Sequence, residues 1–193
     1  MFSTDTAPKT SLMEILTPER KNAMRKFHFT LSLIVLLLLV IGLSISLTAS
    51  DKLAENKAVV RHCADEIFSQ GKLDLVDKLY APDYVYHGPD GEMKGPESVT
   101  QAVTMYRTAF PDIRVKVEDF IAEGDKVVAR YTITGTHQGD LMGIAPTGKP
   151  IMMSGISIHR IADGKIVEEW DIYDRMGMMQ QLGVIPMPEQ EGK

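Results

Sequence analysis

The chain has 193 residues and a formal net charge of −5 at pH 7. This length accommodates one ordinary domain plus an additional segment, but not two full domains. Acidic and basic residues are mixed without a basic, aromatic-interleaved stripe, which argues against nucleic acid as a partner. The single cysteine, Cys63, excludes an intramolecular disulfide and a zinc cluster built from several thiolates. Its apolar helical surroundings predict a core residue rather than a nucleophile.

The segment over residues 29–50 carries no charged side chain. As a helix of about 22 residues it is long enough to cross a hydrocarbon core of roughly 30 Å. Such a segment keeps its positively charged flank in the cytoplasm. The sequence therefore predicts a cytoplasmic tail over residues 1–28, one transmembrane anchor over 29–50, and a globular part on the extracytoplasmic side. The positive flank consists of Arg20, Lys21, Arg25 and Lys26.

A cleaved signal peptide is the alternative interpretation of this segment. Its densest apolar run, residues 31–43, has the length of a signal-peptide core, and small residues such as Ser44 and Ala49 follow it. Against cleavage, the preceding polar stretch is long, and Leu47 is a large residue for a cleavage motif. The uncleaved anchor is favoured, whereas cleavage would release a secreted protein.

A globular domain is predicted over residues 51–188, followed by a flexible end over 189–193. Apolar residues at helical spacing predict one helix that ends at residues 70–71 and a second over 73–80. A short extended piece over residues 83–87 follows. A third helix begins with the three residues Gly95, Pro96 and Glu97.

The second half of the domain is rich in strands. A short helix over residues 174–182 follows them, with Asp174 as its N-cap. Three helices followed by a meander of strands is an α+β order. We expect a curved antiparallel sheet whose concave face, closed by the helices, holds a pocket. Alternating apolar residues and turn signals place the strands at residues 113–122, 126–137, 150–161 and 166–173.

The run from Ile161 to Asp171, followed by Asp174 and by residues 181–183, is a recognisable motif. A glycine-rich connection over residues 135–148 precedes it. In this order the motifs resemble the SnoaL-like polyketide cyclases of the nuclear transport factor 2-like superfamily. The resemblance covers roughly residues 55–186. It implies a cone-shaped α+β barrel that cyclises polyketide esters by intramolecular aldol condensation, with neither metal nor cofactor.

The resemblance implies a catalytic acid/base at Asp171, on the last long strand. It also implies a histidine on the preceding strand, where this chain has Ser157. His159 lies two residues further on, on the same face, and is the candidate for that catalytic role. A carboxylate among apolar walls suits proton abstraction next to a carbonyl, because desolvation raises its pKa. Strand alternation puts Glu169 and Tyr173 on the same face as Asp171, so if this face lines the cavity, we expect Glu169 or Tyr173 near the pocket mouth.

Further residues are candidates for ligand binding. His87 lies in a segment that borders the pocket in many relatives, although a plain loop histidine is an equal alternative. His137 is expected to orient the loop over residues 138–148 in preference to contacting ligand. The histidines lack the spacing of a zinc-binding helix, so no metal site is predicted. The candidate ligand-binding set is Tyr86, His87, His137, Ser157, Trp170 and Tyr173.

Two functions remain open. The first is a cofactor-free cyclase or isomerase that acts on a small apolar, polyketide-like carbonyl compound through Asp171 and His159. The second is a non-catalytic, membrane-tethered module that binds a small apolar molecule. Ser157 and the tether favour binding, whereas Asp171 favours chemistry. A homodimer formed through the open sheet face is a further expectation, because this fold often associates in that way.

Overall fold

The computed structural model describes residues 18–89 and 91–186, without the side chains of residues 40–48. The chain divides into two units, Met1–Ala49 and Ser50–Lys193. The predicted flexible end, 189–193, lies outside the described residues, as does most of the predicted cytoplasmic tail.

The first unit contains the N-terminal part of helix α1, Pro18–His62. Within the described residues, the stretch Pro18–Leu39 is long and apolar enough to cross a membrane, with a mean hydropathy of 1.3. A signal sequence near an N-terminus can satisfy the same criteria of length and hydropathy. The stretch therefore does not separate the predicted anchor from the predicted signal peptide.

The second unit begins with the helices that cover the sheet. Helix α1 is followed by a π-helical turn, Cys63–Phe68, and then by a 3₁₀ turn, Leu73–Leu75, that leads into helix α2, Val76–Leu79. Helix α3, Pro96–Ala109, begins with proline at its first position, where the missing N–H costs nothing. Together these elements supply the three predicted helices.

Six strands form one sheet in the order β2-β1-β6-β5-β4-β3. Every neighbouring pair is antiparallel except β1 and β6, which are parallel. The prediction of an antiparallel sheet is therefore wrong on this point, and the sheet is mixed. The physical reason is that β1 and β6 are joined by a long connection that includes β2, helix α3 and strands β3 to β5, and such a connection can bring the chain back to run parallel to β1, which a short hairpin cannot do. The strands are β1 Tyr80–Gly88, β2 Gly91–Lys94, β3 Arg114–Glu123, β4 Lys126–Thr136, β5 Pro150–Ala162 and β6 Lys165–Tyr173.

Strand β5 shows how the sequence builds the two faces of the sheet. Its side chains alternate between exposed and buried along almost the whole strand. Met153, Ser157 and His159 point to the buried face, whereas Met152 and Ile156 are exposed. Side chains on the buried face therefore meet the helices, and the site described below is on that face.

Helix α4, Arg175–Leu182, closes the domain. The Asp174 side chain accepts a hydrogen bond of 2.8 Å from the backbone N–H of Gly177, which confirms Asp174 as the N-cap. Met178 and Leu182 on this helix are buried against Ile151 of β5. The C-terminal helix is thus held to the sheet by apolar burial, which secures one end of strand β5.

Candidate active site

A cavity of about 560 Å³ lies against the buried face of the sheet. Helix α3 contributes Val99 and Met105 to its lining, the π-helical turn contributes Ala64, and strands β3 and β4 contribute Val117 and Ala129. This volume is within the usual range for small-molecule sites, and walls of this kind accept a largely apolar ligand. Its ionisable carboxyl and imidazole groups lie on two strands only, and they are His159, Glu169 and Asp171.

Strand register places these polar groups in rows. Ser157 of β5 is paired with Asp171 of β6, and His159 is paired with Glu169. On the other side of β5, Ala129 is the partner of Ser157. Cβ atoms of paired residues lie about 5 Å apart, so the two residues that follow Asp171 in its row, Ser157 and Ala129, are small, and Phe120 of β3 comes after them. All three of Asp171, Ser157 and Ala129 line the cavity.

Two tyrosine hydroxyls hold the Asp171 carboxyl group. Tyr131 donates a hydrogen bond of 2.7 Å to Oδ1, and Tyr86 lies 3.5 Å from Oδ2 as a weaker donor. The Tyr131 ring reaches Asp171 by lying across Gly155, where an added Cβ would overlap the Tyr131 hydroxyl. Gly155 is thus required by this close approach, and it allows strand β4 to contact strand β6 over strand β5.

The pKa of Asp171 is raised to about 6, principally by burial and further by the neighbouring Glu169 carboxyl group. The hydrogen bond from Tyr131, the nearby His159 and the contact with Tyr86 act in the opposite direction. These effects leave a carboxylate that is ionised at neutral pH and is a stronger base than a solvated aspartate. Such a pKa, close to working pH, is suited to general acid/base catalysis.

Glu169 lies deeper than the sequence predicted. Its side chain is 13 % exposed, and the Tyr84 hydroxyl donates a hydrogen bond of 2.8 Å to its Oε2. Burial raises the pKa of Glu169 to about 7, and the Tyr84 hydrogen bond opposes this rise. Glu169 is therefore an enclosed carboxyl group that exchanges a proton near neutrality, rather than a group at the pocket mouth.

His159 is the second enclosed titratable group. Burial lowers the pKa of His159 to about 4, against the influence of the Asp171 charge, so the imidazole is neutral at pH 7. Its Nε2 lies 2.9 Å from Ser157 Oγ. Its Nδ1 lies 3.5 Å from Glu169 Oε2 without forming a hydrogen bond. The neutral imidazole therefore bridges the two polar rows.

Cys63 also lines the cavity, with its Sγ 2.6 Å from the hydroxyl of buried Tyr80. Burial raises the pKa of the Cys63 thiol far above its ordinary value. A protonated, buried thiol is a poor nucleophile, in agreement with the predicted core role. In residues 18–89 and 91–186, no three His, Cys, Asp or Glu side chains are grouped as a metal site.

The structure separates the candidate residues into two groups. His87 and Trp170 stack on each other with ring centroids 5.3 Å apart, and neither lines the cavity. Strand alternation explains this, because His87 follows Tyr86 and Trp170 precedes Asp171, and Tyr86 and Asp171 both line the cavity. His137 is also outside the lining, where its Nδ1 accepts a hydrogen bond of 3.2 Å from the Thr147 N–H and so secures the loop. The predicted residues that do line the cavity are Tyr86, Ser157, His159, Asp171 and Tyr173.

Sequence reasoning missed Tyr84 and Tyr131 as site residues. Alternation in β4 does put Tyr131 on the same face as Val127 and Ala129, which was a usable signal. The local pattern does not show that Asp171, two strands away in the sheet, lies within reach of Tyr131. Tyr84 likewise contacts a residue on β6 that is 85 positions further along the chain.

Comparisons with known proteins agree on one family. The family model for SnoaL-like polyketide cyclases matches residues 58–182. Aklanonic acid methyl ester cyclase DnrD of Streptomyces peucetius is 33 % identical over 131 residues, which cover 66 % of this chain and 90 % of that protein.

Solved structures give the same result at the level of the fold. The structure of AclR from Streptomyces galilaeus superposes with a TM-score of 0.64 and 33 % identity, over 71 % of this chain and 87 % of AclR. A protein with a ketosteroid isomerase-like fold from Catenulispora acidiphila has a TM-score of 0.56 and 18 % identity, over 65 % of this chain and 92 % of that one. The second likeness shows the shared fold alone.

Proposed function

Because the chain belongs to the SnoaL-like polyketide cyclase family, we propose that it is an enzyme that closes a ring in a small polyketide-like carbonyl compound. The family supports a cyclase or isomerase type of function. One observation carries the finer proposal. Asp171, a carboxylate with its pKa raised to about 6, lines an apolar cavity and is oriented by two tyrosine hydroxyls.

In the proposed reaction, Asp171 removes a proton from a carbon next to a substrate carbonyl. The resulting enolate carbon attacks a second carbonyl carbon of the same molecule, which forms the ring C–C bond and leaves an alkoxide. Protonated Asp171 then returns the proton to this oxygen, so the cycle consumes no cofactor and the product is an isomer of the substrate. A positioned base of this kind typically contributes about 10²- to 10⁴-fold to the rate.

The surrounding residues support this step. Burial raises the pKa of Tyr131 far above its ordinary value, so its hydroxyl stays protonated and keeps donating to Asp171. His159, hydrogen-bonded to Ser157, is the proposed second proton-transfer group. Because its imidazole is neutral at pH 7, it can pass a proton through the Ser157 hydroxyl, which is paired with Asp171 across the strands.

The test uses the full chain and aklanonic acid methyl ester, the compound in the name of the relative DnrD. We expect a product of unchanged mass, and we expect Asp171→Asn to lower kcat/KM by about 10²- to 10⁴-fold with an unchanged melting temperature. Asp163→Asn, in the exposed β5–β6 hairpin, is the matched control. Equal turnover by Asp171→Asn and the unaltered chain would rule out Asp171 as the base.

A non-catalytic binding module is the second candidate, and a specific residue favours it. The position paired with Asp171 holds Ser157, not the histidine that the family resemblance implies. The discriminating measurement is mass spectrometry of small molecules that copurify with the chain. A retained apolar ligand that is recovered unchanged, with no turnover of ketone or ester substrates, would favour this function.

We further propose that the apolar segment over residues 29–50 anchors the protein in a membrane, with the N-terminus in the cytoplasm. Its length, its composition and its basic flank support this. The anchor predicts that the chain stays in the pellet after alkaline carbonate extraction and keeps its N-terminal residues. A secreted chain that begins near residue 50 would show signal cleavage instead.

A homodimer through the outward face of the sheet is also proposed. Ile172 is 77 % exposed, and its cross-strand partner Ile156 is 49 % exposed. Ile158 and Trp170 form the next pair on this face. A contiguous apolar patch on a sheet face supports association with a second copy, because pairing removes it from water.

A further inference from the structure

The deep end of the cavity has a polar cluster next to Asp171, and within it only His159, through its Nε2 side, takes part in the proposed proton transfer. It consists of Tyr84, His159 and Glu169, and all three side chains line the cavity. Tyr84 is 2 % exposed, and the side chains of His159 and Glu169 are 6 % and 13 % exposed. Enclosed polar groups cost stability unless they are hydrogen-bonded. A group in the cluster that has no partner in the protein therefore indicates what the cluster binds.

One atom in this cluster lacks a partner. His159 Nδ1 is buried and has no hydrogen bond within the described part of the chain, although Nε2 is paired with Ser157. The nearest carboxyl oxygen, Glu169 Oε2, is 3.5 Å away and already accepts from Tyr84. A buried ring nitrogen that lacks a protein partner, in a side chain that lines a cavity, points to a partner from the ligand.

We propose that this cluster is a subsite for a hydroxyl group of the ligand, bound between His159 Nδ1 and the Glu169 carboxyl group. A hydroxyl both donates and accepts, so it can bridge a ring nitrogen and a carboxyl oxygen in any of their protonation states. A carbonyl oxygen only accepts, and it meets this requirement in fewer of those states. The inference rests on the proposed function to the extent that both place the ligand in the same cavity.

The distance between the hydroxyl subsite at Glu169 and the Asp171 carboxyl group defines the ligand class. Glu169 and Asp171 are two residues apart on one face of β6, which corresponds to roughly 6.6 Å along a strand. The ligand is therefore a hydroxylated ketone whose hydroxyl oxygen lies about that far from the carbon that Asp171 deprotonates. The apolar walls of the cavity between the subsite and Asp171 accept the carbon skeleton of the ligand. A ligand without the hydroxyl leaves His159 Nδ1 unpaired.

The probes are para-hydroxyacetophenone and acetophenone, which differ by one hydroxyl group, and their affinities for the full chain are measured by calorimetry. We expect the hydroxylated probe to bind on the order of 10-fold more tightly. Two variants separate the ring nitrogens. His159→Asn places an amide near the Nδ1 position, whereas His159→Gln places one near the Nε2 position and leaves Nδ1 unreplaced.

We expect His159→Asn to retain most of the preference for the hydroxylated probe and His159→Gln to reduce it to about one-fold. The ratio of two affinities is insensitive to a general loss of stability, and a thermal melt of each variant checks folding. Equal binding of the two probes to the unaltered chain, binding of neither, or an unchanged preference in His159→Gln would overturn the subsite.

The measurement does not depend on turnover. A chain that prefers the hydroxylated probe but cyclises no substrate would contradict the proposed function and retain the subsite. Cyclisation that needs Asp171, together with equal affinity for the two probes, would contradict the subsite alone. Asp171→Asn is included for this reason, and we expect it to keep the affinity ratio of the unaltered chain.

Discussion

The Tyr131 hydroxyl on β4 donates a 2.7 Å hydrogen bond to Asp171 Oδ1 on β6, although strand β5 lies between them. The contact is possible because Gly155 of β5, the cross-strand partner of Tyr131, has no side chain in its path. The orientation and basicity of the proposed catalytic carboxylate are thus determined jointly by three strands.

Tyr131→Phe is expected to raise the pKa of Asp171. The hydrogen bond stabilises the ionised carboxylate and so opposes the effect of burial, and its loss moves the pKa above about 6. The acidic limb of kcat/KM against pH should shift upward by up to about one unit, with little change on the alkaline side. Superimposable limbs for Tyr131→Phe and the unaltered chain would contradict this role.

Tyr84→Phe is the matched control for that experiment. It removes a hydrogen bond from Glu169 rather than from Asp171, so Glu169 stays neutral to higher pH. The Glu169 charge raises the pKa of Asp171. When Glu169 stays neutral, the acidic limb of kcat/KM against pH should therefore stay in place or move to lower pH. An upward shift of the same size in both variants would indicate a general disturbance of the cavity.

Gly155→Ala should disconnect Tyr131 from Asp171 without altering either residue. The added methyl group overlaps the Tyr131 hydroxyl, so the ring must rotate away from the carboxylate. We expect the same pH shift as in Tyr131→Phe, and a destabilisation of about 1 to 3 kcal/mol from overpacking. The double variant Gly155→Ala with Tyr131→Phe should show no further pH shift, because both changes remove one interaction.

The control is Ser154→Ala, which changes an exposed neighbour on the opposite face of β5. It should leave both the pH profile and the melting temperature nearly unchanged. If Gly155→Ala alters stability but leaves the pH limb of the unaltered chain in place, the close approach of Tyr131 over Gly155 is not what orients Asp171.

Glu169→Gln should change how stability depends on pH. The folded pKa of Glu169, about 7, exceeds its ordinary value of 4.5, so the folded state binds more protons between these values. The contribution of Glu169 to the free energy of unfolding therefore falls as pH rises through this window. His159 acts oppositely, because its folded pKa is lowered from 6.5 to about 4 and its contribution grows as pH rises.

The Glu169→Gln variant lacks the contribution of Glu169 and retains that of His159. As pH rises from 4.5 to about 7, the free energy of unfolding of the variant should therefore increase relative to that of the unaltered chain, by an amount on the order of 1 to 3 kcal/mol. Urea titrations at several pH values measure this difference. Glu168→Gln, on the other face of β6, is the control, because the hydrogen bond from His87 lowers the pKa of Glu168. Parallel curves for Glu169→Gln and the unaltered chain would contradict the assignment.

Ile172→Glu should dissociate the proposed homodimer. The change introduces a charge on the apolar outward face, where a second copy would have to desolvate it. Sedimentation in detergent should then show a monomer at concentrations where the unaltered chain is dimeric. Leu73→Glu, an exposed apolar residue in a helical turn, is the control and should leave the mass unchanged. A monomeric unaltered chain would refute the interface.

Local patterns in the sequence were sufficient to predict the long strands, one helix cap, the family and one residue of the site. Period-two alternation identified the long strands, and Asp174 was recognised as a helix cap because capping involves residues only three positions apart. The motif from Ile161 to Asp171, with its flanks, pointed to the family that the comparisons confirm. It also pointed to Asp171, which the structure places in the cavity lining.

Tertiary structure alone decided the composition of the site. The parallel pairing of β1 with β6 brings Tyr84 to Glu169 across 85 positions, and the register of β4, β5 and β6 brings Tyr131 to Asp171 across 40. The same pairing leaves His87 stacked on Trp170, away from the cavity. Alternation says which residues share a face of one strand, but strand order and register determine which faces meet, and these depend on packing of the whole domain.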